Sequence, residues 1–153
     1  MASPAAEWWF YHIEHTSLDA AIGPLIEKCL ERRWRVLVVG GDATLARLNG
    51  LLWTWRADSF IPHGMTGLGQ ERQPVLLSAA AEPLNGAKVA LLLDGGEADA
   101  TRFERCLVVF DGGDETARAK ARLQFKAAAD SGVAARYFQQ EPGGGWMEKK
   151  ARV

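Results

Sequence analysis

Four runs of nearly unbroken apolar residues constrain this chain more than any other feature: "WRVLVVGGD" (34–42), "PVLLSA" (74–79), "KVALLLDGG" (88–96) and "RCLVVFDGG" (105–113). A strand with one wet face alternates apolar and polar side chains. These runs do not alternate, so both faces must be covered, the condition of a parallel sheet held between helices. Amphipathic stretches separate them. "TSLDAAIGPLIEKCLERR" sets Leu18, Ala21, Ile22, Leu25, Ile26, Cys29 and Leu30 at helical spacing, as Leu45, Leu48, Leu51 and Leu52 are after the first glycine pair. Adding "EWWFYHI" (7–13) as a first strand, a long helix from about Asp114 to Ser131 and "ARYFQQ" (135–140) as a further strand gives a βαβα rhythm. The expected fold is α/β: a single domain of 153 residues, with a mostly parallel sheet and helices on both faces.

Local signals set the boundaries. Thr16 or Ser17 can cap the first helix, but Pro24 would strain its interior, so regular helix is expected only from near Gly23. Asp42 is placed to cap the second helix. "GMTGLGQ" (64–70) reads as a mobile loop and "PGGGW" as a flexible joint; residues 1–6 and 141–153 are expected to be flexible or loosely packed.

Composition and motifs narrow the function. With 48% hydrophobic and 24% charged residues the chain is an ordinary globular one, and no run reaches the roughly 18 apolar residues of a membrane span, so a cytoplasmic setting is expected. A net charge of -1 gives no global positive field, so contact with DNA is expected to be indirect unless a local patch supplies it. Cys29 and Cys106 carry no zinc spacing and read as buried free thiols; no cofactor or metal is expected. "GGDATLAR" lacks the lysine and hydroxyl of a phosphate-binding loop, and Asp42 would oppose a phosphate. The two Asp-Gly pairs at strand ends could face Mg2+ but are more simply turns. His12 and His15 have no evident partner, and His63 more simply fixes its loop by a hydrogen bond than acts as a base.

Two segments remain. On the long helix Arg118, Arg122 and Lys126 form one stripe, while Ala117, Ala121, Phe125 and Ala128 form its apolar neighbour. Cations beside a ring suit an acidic peptide ending in an apolar residue, although a solvated face with Phe125 in the core has the same pattern. "LLWTWRADSFIPHG" (51–64) crowds Trp53, Trp55, Phe60 and Ile61 beside Arg56 and Asp58. Such a composition belongs either to an interface hot spot or to a satellite core folded underneath.

"RRWRVLVV", "LLWTWRADSFIPHG", "PVLLS", "LNGAKVALLLDGG", "VVFDGGDETARAKAR" and "GGGW" follow one another in the order of a known family, and from about Glu7 to Lys150 the chain resembles the chi subunit of bacterial DNA polymerase III holoenzyme. The resemblance implies a Rossmann-like α/β fold without a working nucleotide site and a non-enzymatic adaptor, a monomer outside its complex, linking the clamp loader to single-stranded DNA-binding protein. It puts the acidic, phenylalanine-terminated tail of that protein on Arg118, Arg122, Phe125 and Lys126, with Phe125 where the family has tyrosine. It puts the psi subunit, or a helicase-like protein on the same face, on Trp53, Trp55 and Phe60. "TWR" departs from the small, proline-containing version of members that bind psi. The competing expectation is a nucleotide-binding α/β enzyme or switch.

Overall fold

The computed structural model describes residues 7–54, 61–67 and 69–149. In chain order the elements are β1 (Glu7–Ile13), α1 (Leu18–Glu31), β2 (Val36–Val39), α2 (Asp42–Trp53), β3 (Gly64–Met65), β4 (Val75–Ser78), β5 (Val89–Leu92), β6 (Arg105–Asp111), α3 (Glu115–Asp130), β7 (Ala135–Gln140) and β8 (Trp146–Lys149). They form one sheet in the order β3-β4-β2-β5-β6-β1-β7-β8, parallel throughout except for the antiparallel pair of β7 and β8. The expected α/β domain is therefore the observed one. Every residue of β2, β4 and β5 is buried, as the unbroken apolar runs required.

The side-chain period of two divides the core into two layers. Trp9, Tyr11 and Ile13 of β1 pack with Ile22 and Ile26 of α1 and Leu45 and Leu48 of α2 on one face. Phe10 of β1 packs with Val108 and Phe110 of β6, Ala121 of α3 and Tyr137 of β7 on the other. One face thus carries two helices and the opposite face carries α3.

Four local expectations need correction. Helix α1 begins at Leu18, not near Gly23, with the Ser17 hydroxyl accepting from the Ala20 N–H at 3.1 Å. Pro24 does lie inside the helix, but it and Ala20, whose carbonyl loses its partner, are both exposed and can be hydrated, while burial of Ile22, Leu25 and Ile26 holds the turn. Asp42 does not cap α2: Gly41 occupies that position and Asp42 is in the first turn. Residues 64–70 do not form one irregular loop, since Gly64 and Met65 add an edge strand to β4 and a 3-10 turn begins at Gln70. His12 also has partners, described below. Beyond β7 the chain turns through 141–145 and returns as β8, whose Trp146 packs edge-on against Tyr11 at 5.0 Å.

The Asn-Gly-Ala segment has a plain structural cause. Asn85 is fully buried; its amide donates to the carbonyls of Val36 at 3.2 Å and Gln73 at 2.9 Å, and its side-chain oxygen accepts from the Ala87 N–H at 3.2 Å. Gly86 follows at φ 70°, which a glycine adopts without penalty. Asn85→Ala would remove the partner of three backbone groups, those of buried Val36 and Ala87 and of half-buried Gln73, and should cost about 3 kcal/mol, a fall of about 6–12 °C in Tm by calorimetry.

Candidate protein-interaction site

Helix α3 starts where the Asp114 carboxylate accepts from the Ala117 N–H at 3.1 Å and runs to Asp130. Its inner face is made of small residues, with Ala121 and Ala128 buried, so the helix lies close on the sheet. Phe125 is half-buried, its ring 5.3 Å from that of Phe10 and 6.5 Å from that of Tyr137. Arg118, Arg122 and Lys126 are all exposed along the neighbouring flank, as the spacing of four predicts. The structure thus brings the ring and the three cations onto adjoining faces of one helix.

Beneath that flank lies a polar pair absent from the sequence expectations. His12 Nδ1 and the Tyr137 hydroxyl are hydrogen-bonded in the buried layer, and His12 Nε2 lies 3.5 Å from Glu14. Burial pushes the His12 imidazole below its usual value, against the pull of Glu14. Burial raises the Tyr137 phenol, while Arg118 and Arg122 pull it down. Alternation along β1 and β7 could have found the pair, because His12 and Tyr137 share the face of Phe10; the register pairs Phe10 with Tyr137. Leu123 was also missed. It is 67% exposed on the outer surface of α3, beside the cationic stripe.

The opposite flank of α3 has different chemistry. Lys120 is paired with Glu97 at 2.6 Å, and Gln124 donates to the Gly96 carbonyl at 3.0 Å. A hollow of about 310 Å³ opens there, lined by Trp8, Ala98, Gln124, Ala127 and Ala128 among others.

The tryptophan-rich segment divides in two. Trp53 closes α2 with 60% of its surface exposed, its ring edge-on to His63 at 5.4 Å. Ile61 instead is buried in the α1 and α2 layer, and His63 is fastened to the Ile61 carbonyl at 2.8 Å and Asn49 at 3.0 Å. Trp55 and Phe60 lie outside the described residues. One bulky residue therefore goes inward and another outward from the same stretch.

The strand-end carboxylates do turn work. Asp94, at φ 54°, accepts from the Gly41 N–H at 2.8 Å and so takes an amide at the α2 N-terminus. Asp111 accepts from the Gly113 N–H at 2.9 Å. Cys29 and Cys106 are buried thiols whose pKa burial raises to about 11 and about 12. Among the described residues no group of three metal-ligating side chains occurs and no helix is long and apolar enough to cross a membrane.

A family model described as the DNA polymerase III chi subunit, HolC, matches residues 6–136. Among curated proteins nothing matches the chain.

Proposed function

Because the chain belongs to the DNA polymerase III chi subunit family, an accessory subunit of the polymerase, we propose that it is a non-enzymatic adaptor whose α3 captures the tail of single-stranded DNA-binding protein. The observation that carries this reading is the adjacency on α3 of exposed Arg118, Arg122 and Lys126 with half-buried Phe125. The tail is acidic and ends in phenylalanine. Its carboxylates meet the cations, its terminal ring meets Phe125, and Leu123 widens the apolar contact. Charge-assisted bonds contribute about 1.5–3 kcal/mol each when desolvated and less at an exposed site, so a Kd in the micromolar range, about 8 kcal/mol, suits this surface.

A fluorescent acidic peptide with a free C-terminal phenylalanine, titrated by anisotropy, tests the site. Arg122→Ala should weaken binding about tenfold, and raising the salt should weaken the unaltered protein as well. Unchanged binding in Arg122→Ala, or stabilisation by ATP, GTP or NAD with Mg2+ in place of peptide binding, would exclude the reading. Trp53, with Trp55 and Phe60, is proposed as the second surface, which docks psi or a helicase-like protein; exposure of a tryptophan at a helix end supports it.

A further inference from the structure

Away from both surfaces, on the α1 side of the sheet, cations and rings alternate in one continuous ladder. The Arg32 guanidinium lies 4.9 Å from the Trp34 ring centre, Arg105 lies 4.4 Å from Trp34 and 5.4 Å from Trp9, and Arg136 lies 5.0 Å from Trp9 and 5.1 Å from Phe138. Tyr11 continues the series, stacked on Phe138 at 4.9 Å with Trp146 edge-on to it. The ladder crosses from the C-terminal end of α1 over β6, β1 and β7. It walls a hollow of about 270 Å³ whose lining, among the described residues, includes five aromatic residues and the cations Lys28, Arg32 and Arg136 and no carboxylate.

The chemistry of this hollow is specific. A guanidinium stacked on an aromatic face gives up hydration on one side and keeps its in-plane N–H donors in a fixed direction, suited to an anionic oxygen. Arg136 is already forked to Glu148 at 2.7 and 3.0 Å and mainly builds the wall, while Arg105, 3.8 Å from Glu7, holds the ladder together outside the lining. No ion pair to Lys28 or Arg32 occurs among the described residues, and both are exposed. The buried Nε of Arg105 has no hydrogen-bond partner there. A space just under the usual range for small-molecule pockets admits one flat ring rather than an extended peptide.

We propose that this hollow docks single-stranded DNA, one base lying against its part-exposed rings, Trp34, Phe138 and Trp146, and the neighbouring phosphates on Lys28 and Arg32. Rings that stack any base and cations that track the backbone are the parts such a site needs. A net charge near zero does not oppose it, because the positive groups are gathered at one place.

The test uses the whole chain and a fluorescein-labelled oligothymidylate of about 15 nucleotides, followed by anisotropy and by quenching of tryptophan emission. Binding is expected at low salt, with log K falling against log salt by about 0.7 for each phosphate contacted. The double variant Lys28→Ala with Arg32→Ala, checked for folding by circular dichroism, should weaken binding at least tenfold and flatten that slope by about 1.4. Arg122→Ala should leave oligonucleotide binding unchanged. No binding at low salt, equal binding by the double variant, or capture at this hollow of an acidic peptide in place of the oligonucleotide would overturn the proposal. If the double variant is unfolded, Lys28→Glu alone, with its single reversed charge, must still show the loss.

Discussion

Gly112→Ala is expected to destabilise the protein by about 3 kcal/mol or more, with Tm falling by about 6–12 °C and chemical shifts of the His12 ring displaced. A Cβ at this position would stand 1.9 Å from His12 Nε2 and 3.0 Å from the Ile13 carbonyl oxygen. The imidazole has little room to retreat: it is buried, its ring centre is 5.0 Å from that of Phe110, and its other nitrogen is bonded to Tyr137. The backbone is fastened as well, since the Gly112 N–H donates to the Ile13 carbonyl at 2.8 Å. Gly113→Ala is the control. There an added Cβ meets the Asp111 carboxylate at 3.3 Å, a side chain on the surface that can give way. Equal Tm values for the two variants, measured by calorimetry, would show that the closeness of His12 and Gly112 constrains nothing.

Phe10→Ala should cost about 3–5 kcal/mol by urea unfolding, because a large ring leaves a site that cannot collapse around the gap. Phe10 has no exposed surface; Trp8 of its own strand is stacked on it at 6.1 Å and Phe125 of α3 meets it edge-on at 5.3 Å. Without it Phe125 loses its backing, so the variant should also bind the acidic tail peptide less well than its residual stability alone explains. Phe10→Leu should recover most of the stability. Retention of full stability by Phe10→Ala would mean that the layer beneath α3 is not close-packed.

Most of the fold was legible because its signals are local and repeated. Val36–Val39, Val75–Ser78 and Val89–Leu92 are apolar at every position or nearly so, and only a sheet covered on both faces accepts such strands. The stripe of Arg118, Arg122 and Lys126 was legible for the same reason: a period of four is a property of any helix. Misreadings arose where the deciding partner is distant in sequence. Pro24 is tolerated because of which side of α1 faces water, a matter of what α1 packs against. Asp42 falls one position inside the helix because the extended residue before it, Gly41, is the N-cap, its own N–H held by the Asp94 carboxylate of a remote turn.

The interaction surfaces divide along the same line. Chain order by itself determined that α3 has a cationic flank beside an apolar one, since helix geometry carries that information unaided. Only the tertiary structure decided that Phe10 and Tyr137 back Phe125, that Trp53 faces outward while Ile61 is buried, and that Arg32, Arg105 and Arg136 interleave with Trp34, Trp9 and Phe138. Those rings and guanidinium groups come from a helix end, a loop and three strands, and no spacing rule relates them. Strand order in the sheet, set by crossover connections and by how much apolar surface each pairing buries, is what makes them neighbours.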